Sequence, residues 1–237
     1  MSKNEVEQKG LLGGSFNPVH LGHLGLAREA LNRFHLDKIM FIPANVSPHK
    51  QEKPFTAAFH RKKMISLATR DTPSFEVSDI ELQKQGVSYT INTLNTLRKN
   101  NPMTEFYLIM ATDTFQDLVT WKECYTILES CNILVASRPG FSLKGGGEIM
   151  RGLYKKSMPH KFDLPKTDVA DYRREDNGRS LIFFKLKEPK SISSTEIRKR
   201  IHQNIPIKNF LPPQVEHYII ENNLYQFTDQ NFQPTKE

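Results

Sequence analysis

Cysteine is nearly missing from this chain of 237 residues: Cys124 and Cys131 are too few for a disulfide framework, and no CxxC pair suggests a metal site. Both read as ordinary thiols of a reducing compartment. Long apolar runs are missing too. None approaches the roughly 18 to 20 residues that cross a bilayer, and the polar stretch from Met1 to Lys9 lacks the apolar core of a signal peptide. The expectation is a cytoplasmic protein with no membrane partner. No glycine turn is followed by the GKS or GKT of a P-loop, and none has GxGxxG spacing. Tryptophan occurs once, at Trp121.

What is present is an ordinary globular mixture, 38% hydrophobic and 25% charged, with a formal net charge of +7. A basic balance suits nucleic acid or phosphorylated small molecules, and it equally describes a solvated basic surface.

Elements alternate along the chain. An apolar run, Lys9 to Gly14, ends in two glycines. Leu24, Ala27, Leu31 and Phe34 then fall on one helix face. Lys38 to Pro43 reads as a strand stopped by proline, followed by helices over Ala57–Ala68 and Thr90–Lys99. Phe106 to Met110 and Ile133 to Ala136 read as buried strands around a helix at Tyr125–Glu129. Phe141 to Arg179, with Gly145, Gly146 and Gly147, breaks the rhythm and reads as an irregular insertion. A strand at Leu181–Phe184 and helices at Thr195–His202 and Pro212–Asn222 close the pattern. Continuous apolar strands alternating with helices predict an α/β fold: a doubly wound, mostly parallel Rossmann-like sheet, helices on both faces, and a small C-terminal helical part. No repeat or long linker interrupts it, so residues 1–237 are expected to form a single domain.

Two segments carry chemistry. The first is Gly13-Gly14-Ser15-Phe16-Asn17-Pro18-Val19-His20-Leu21-Gly22-His23. It joins the first strand to the first helix, where open parallel sheets bind ligands. Its glycines permit close backbone approach. The helix start offers unpaired N–H groups to phosphate. His20 and His23, three apart, would lie on one side and could donate to phosphate oxygens in a transition state. Gly22 between them would leave room for a flat group such as a base. Zinc on the two histidines lacks further ligands of suitable spacing.

The second is Ile192-Ser193-Ser194-Thr195-Glu196-Ile197-Arg198. It places helix-capping hydroxyls before an arginine able to hold phosphate bidentately. Ser194 to Ile197 does not make a capping box. Two other residues stay open. Trp121 offers either a packing anchor or a π face for a planar ring, and Asp113, just past a buried strand, either serves a ligand or caps a helix.

Together these segments resemble the nucleotidylyltransferase superfamily, with HxGH early and ISSTxIR late. Ile42 to Lys50, Phe59-His60-Arg61, Ser88-Tyr89-Thr90, Asp113 with Trp121, Arg138-Pro139-Gly140, and the ending from Leu211-Pro212 to Leu224-Tyr225 extend the resemblance to the bacterial nicotinate mononucleotide adenylyltransferases. The match is weakest from Phe141 to Arg179. The resemblance implies adenylyl transfer from ATP, with Mg2+, to nicotinate mononucleotide. His20, His23 and Arg198 would be catalytic. Gly13, Gly14, Ser15, Phe16, Asn17, Ser193 and Ser194 would join them in binding ATP. Asn45, His49, Lys50 and Arg138 would surround the mononucleotide and Asp113 its ribose. The Thr90 and Lys122 N–H groups would meet the nicotinate end, where Trp121 stacks. Asn17 replaces the aspartate, and Ala111 the glycine, common in relatives. No residue is implied as a protein-held metal ligand.

Neighbouring reactions on phosphopantetheine or nicotinamide mononucleotide are the nearest rivals. A basic RNA-binding protein on a Rossmann scaffold is another, but no glycine-flanked aromatic RNA platform is present, so nucleic acid is not expected as a partner. The oligomeric state, a homo-oligomer included, is open.

Overall fold

The computed structural model describes residues 6–46, 56–84, 86–137, 170–173 and 179–226. Among them a seven-stranded sheet runs in the order β3-β2-β1-β4-β5-β7-β6. The strands are β1 (Glu7–Gly14), β2 (Lys38–Pro43), β3 (Phe75–Val77), β4 (Thr104–Ala111), β5 (Asn132–Ser137), β6 (Ala170–Arg173) and β7 (Ser180–Lys185). The helices are α1 (Leu21–Arg33), α2 (Ala58–Thr69), α3 (Thr90–Asn100), α4 (Thr112–Asp117), α5 (Cys124–Ser130), α6 (Ser194–His202) and α7 (Pro213–Glu221). Every strand pairing is parallel except β6 with β7.

Strands β1, β2, β4, β5 and β7 read as apolar runs because each feeds two cores. Leu12, Ile109, Leu134, Ala136 and Phe184 point to one face, with Ala27 of α1, Met64 and Ile65 of α2, Ile197 of α6 and Val215 of α7. Leu11, Leu108, Met110, Ile133, Val135 and Phe183 point to the other, with Ile91 and Leu94 of α3, Phe115 of α4 and Ile127 of α5. Alternate Cβ atoms leave a strand on opposite faces, and each large apolar side chain so buried contributes roughly 1.5–3 kcal/mol. Gly10 of β1 has a packing reason: a Cβ there would come within 2.5 Å of Ile39 and 2.7 Å of Ile109. Both cysteines are free and buried, and burial pushes the Cys131 thiol up to about 12.

The winding matters for function. From β1 the chain moves outward through β2 and β3, then returns to place β4 on β1's other side and continues through β5. The carboxyl ends of β1 and β4 therefore flank the topological switch point, where ligands of open α/β sheets bind.

The expected elements appear, with four differences. Strand β3 has three residues and helix α4 six, too short to carry a period. A 3-10 turn, Leu118–Thr120, follows α4, so Trp121 stands beyond a helix and a turn rather than directly beyond a strand. Strand β6 lies inside the stretch expected to be irregular. It pairs at the sheet edge with β7 alone, and Ala-Asp-Tyr-Arg contains no apolar run to betray it. The rest of 141–179, apart from Arg179, lies outside the described residues.

Candidate active site

The chain leaves β1 through Gly13 and Gly14. A Cβ at Gly13 would meet no atom of the described residues within 4 Å, which leaves the backbone open on that side among them. Phe16 then takes a left-handed conformation (φ 46°), unusual for a bulky residue, and is held in it by burial. Its ring meets His23 edge-on at 4.9 Å and lies 5.9 Å from Phe41.

His20 is the extended N-cap of α1 and His23 its third residue. Their rings stack 3.6 Å apart, which confirms the shared side expected from the spacing. The backbone N–H of His20 donates to Nδ1 of His23 (3.2 Å), and the His23 N–H donates to the His20 carbonyl (2.9 Å). With Nδ1 accepting, a neutral His23 carries its proton on Nε2, and that nitrogen is the donor it can present to a phosphate.

Two expectations change here. The space over Gly22 is taken by His20 itself: a Cβ on Gly22 would lie 3.0 Å from Nδ1 and 3.1 Å from Cε1 of that ring. Glycine leaves room for the imidazole to fold back onto His23, which a Cβ would crowd. The α1 start also offers fewer free donors than an isolated helix, because the Leu21 N–H is spent on the Phe210 carbonyl (2.9 Å).

The late segment is bolted to this turn. Arg198 Nη1 donates to the Asn17 carbonyl (2.7 Å) and Nη2 to Thr195 Oγ1 (3.3 Å), and the Ser194 hydroxyl donates to the Pro18 carbonyl (2.8 Å). Two bonds do not saturate a guanidinium with five donors. Ser193 Oγ caps α6 by accepting from the Glu196 N–H (3.1 Å). The capping frame is therefore Ser193–Glu196, one residue earlier than Ser194–Ile197. It is half a box, since the Glu196 carboxylate pairs with Arg200 (2.9 Å). Asn17 is 4% exposed and its side-chain oxygen accepts from the Tyr225 hydroxyl (3.0 Å), so this side chain knits the turn together.

Across the switch point, Asp113 lies exposed in the first turn of α4, its Oδ1 accepting from the Thr114 N–H (3.0 Å). Lys122 Nζ lies 5.0 Å from the centre of the Tyr89 ring, which brings the start of α3 at Thr90 close to the Trp121–Lys122 pair. Trp121 is half-buried against the second core. Its indole N–H and the Thr112 hydroxyl are buried with no hydrogen-bond partner among the described residues. Orphans of this kind cost about 1–3 kcal/mol each and are what a bound polar ligand would satisfy. Asn45 donates from its backbone to Ser88 Oγ (3.1 Å) and from its side chain to the Lys84 carbonyl (2.8 Å). His49, Lys50 and Arg138 lie outside the described residues.

Arg61 and Tyr225 belong to the site although spacing assigned them no role. Arg61 is only 2% exposed; it donates to the carbonyls of Thr56 (3.0 Å), Ser15 (2.8 Å), Ala44 (2.7 Å) and Asn45 (3.3 Å). It ties the turn after β1 to the loop after β2. The signal was available: Arg61, Met64, Ile65 and Ala68 follow the i, i+3, i+4, i+7 rule, placing an arginine on an apolar stripe. Burial lowers the pKa of Arg61 and Arg198, but both remain cations at neutral pH.

A helix start with paired imidazoles, a clamped arginine and an open glycine backbone, all at a switch point, defines a nucleotide-handling site of the nucleotidyltransferase kind. The chain belongs to the Cytidylyltransferase-like family, which it matches over residues 11–200. Within it, the chain is 36% identical over 92% of its length to a probable nicotinate-nucleotide adenylyltransferase of Desulfitobacterium hafniense, covering 95% of that protein. A probable enzyme of the same name from Dictyoglomus thermophilum is 37% identical, over 91% of this chain and 98% of the relative. Among solved structures, the Plasmodium falciparum nicotinic acid mononucleotide adenylyltransferase complexed with NaAD shares the fold, with a TM-score of 0.70 at 19% identity, over 92% of this chain and 97% of that one.

Proposed function

We propose that this chain transfers the adenylyl group of ATP to nicotinate mononucleotide, giving nicotinate adenine dinucleotide and pyrophosphate, in the cytoplasm. The observation that carries the reading is the junction of Arg198 and Ser194 with Asn17 and Pro18, which assembles two distant segments into one phosphate site.

A phosphate oxygen of the mononucleotide attacks the α-phosphorus of ATP in line. The bond from that phosphorus to the bridging oxygen breaks, and pyrophosphate leaves. A phosphate monoester is already nucleophilic near neutral pH, so no general base is required and catalysis rests on positioning and charge. His20, His23 and Arg198 stabilise the charge growing on the phosphoryl oxygens. Gly13 to Asn17, with Ser193 and Ser194, shape the ATP side. Mg2+ would accompany ATP and neutralise charge on its phosphates. On the acceptor side Trp121 stacks on the pyridine ring, the N–H groups of Thr90 and Lys122 meet its carboxylate, Asp113 meets the ribose, and Asn45, His49, Lys50 and Arg138 enclose the rest. The start of α3 suits an anion, since the helix dipole favours negative charge there.

The test is pyrophosphate release with ATP and Mg2+, comparing nicotinate with nicotinamide mononucleotide. Release with the acid alone supports the assignment. Equal release with the amide would overturn the carboxylate-reading role of α3, and release with neither would overturn the acceptor.

A further inference from the structure

Glu81 is a buried carboxylate to which the reaction above gives no role. It is 9% exposed, and its Oε1 accepts a 2.7 Å hydrogen bond from the Thr93 hydroxyl. The Ser88 hydroxyl also donates to it. Ser88 Oγ in turn accepts from the backbone N–H of Asn45, and the Ser88 N–H donates to the Val46 carbonyl (2.9 Å). Ser88 and Thr93 stand on either side of Thr90, the first residue of α3. One carboxylate thus receives hydroxyls from the segment entering α3 and from the helix's second turn, and through Ser88 it reaches the loop that carries Asn45.

We propose that Glu81 is a positioning residue for the acceptor half of the site: it holds the start of α3 and the Asn45 loop in register, so that Thr90 and Asn45 meet the mononucleotide together. The proposal rests on the adenylyl-transfer reading. Burial raises the Glu81 pKa, and the two hydroxyl donors and nearby Lys84 oppose that shift. A carboxylate kept in so unfavourable a place needs its bonds, because a buried acceptor deprived of donors costs free energy. The relay's own hydrogen bonds run to Thr93, Ser88, Asn45 and Val46, and it meets the Gly13–Phe16 turn only through the Ala44 N–H and Arg61, so its loss should be felt mainly on the acceptor.

The test is steady-state kinetics on Glu81→Ala, Glu81→Gln and Thr93→Val, with thermal unfolding of each. Glu81→Ala should raise the KM for the mononucleotide roughly tenfold, as expected for the loss of two buried hydrogen bonds. The KM for ATP should move less than about twofold, because Glu81 reaches the first turn only indirectly, through the Asn45 loop and Arg61. Glu81→Gln keeps the shape, can accept from Thr93 and can meet Ser88, and should recover most of the acceptor KM. Thr93→Val, which keeps the helix and removes one donor, should raise the same KM roughly threefold. An unchanged acceptor KM in Thr93→Val would overturn the relay even if Glu81→Ala does not fold. Equal damage to both KM values, or no recovery in Glu81→Gln, would reduce Glu81 to general scaffolding. A wild-type chain inactive on nicotinate mononucleotide would instead overturn the functional reading, a separate outcome.

Discussion

The hydroxyl of Tyr225 donates a 3.0 Å hydrogen bond to the side-chain oxygen of Asn17, 208 residues earlier in the chain. The carbonyl of the same Asn17 accepts from Arg198. The end of the described chain, the first phosphate turn and the late serine–arginine segment thus meet at one residue. Tyr225→Phe would leave the Asn17 oxygen, at 4% exposure, without its donor. The expected cost is about 1–3 kcal/mol of unfolding free energy, read from urea unfolding. An unchanged midpoint would mean that the contact is incidental.

The same tyrosine predicts a loss of stability in alkali. Burial pushes its phenol up to about 12, against the pull of Thr56, Arg198 and Arg61. The unfolded chain would release that proton near pH 10. A group whose folded pKa is raised stabilises fully below its unfolded value and loses that contribution as pH rises towards its folded value. The advantage of wild type over Tyr225→Phe should therefore be constant below about pH 10 and shrink between about pH 10 and 12. Taking the difference between the two proteins cancels the parallel contribution of Cys131.

His23 makes a kinetic prediction. Its Nδ1 accepts from the His20 N–H, so a neutral ring carries its proton on Nε2, the nitrogen proposed to donate to charge developing at the α-phosphorus. His23→Ala should lower kcat by roughly a hundred- to a thousandfold, the usual consequence of removing one preorganised donor. Mononucleotide binding, measured by direct titration, should hardly change. Equal turnover in the variant would remove His23 from the transition state.

Much of this was legible in the sequence, for identifiable reasons. Phe106–Met110 and Ile133–Ala136 stand out because burial on both faces leaves no polar alternation. The first turn stands out because glycines and paired histidines at a strand's end have few structural uses. Phe75–Val77 and Thr112–Asp117 escape because so short a segment has no period to detect. The packing around Gly22 escapes because spacing does not reveal that a neighbouring ring folds back beside it. Glu81 was unreadable for a related reason: its partners Ser88 and Thr93 are reached across a turn, and Ile80-Glu81-Leu82 has no pattern of its own.

Arg61 should couple both halves of the site, in contrast to Glu81. Its guanidinium serves Ser15 on the proposed ATP side and Ala44 and Asn45 on the proposed acceptor side. Arg61→Lys keeps a cation but not the planar fork that reaches several carbonyls at once. It should cost at least about 2 kcal/mol through lost charge-assisted hydrogen bonds, a fall of roughly 4–8 °C in Tm for a chain of this size. The KM values for ATP and the mononucleotide should rise together. A rise in one alone would show that the two loops are held independently.

Trp121 gives a prediction that can be read without mutation, because it is the chain's only tryptophan. Half-buried on the second core, with an indole N–H that has no hydrogen-bond partner among the described residues, it should change its emission when a pyridine ring stacks on it. Titrating nicotinate mononucleotide should quench that fluorescence saturably, and ATP alone should have little effect. Trp121→Ala should raise the acceptor KM by roughly tenfold or more, in line with the 1–3 kcal/mol of a base stacked on an aromatic side chain. Trp121→Phe, which keeps a ring, should lie between that variant and wild type. A tryptophan that only anchors the core would behave differently: Trp121→Ala would lower Tm while the acceptor KM and the fluorescence response to ligand stayed flat.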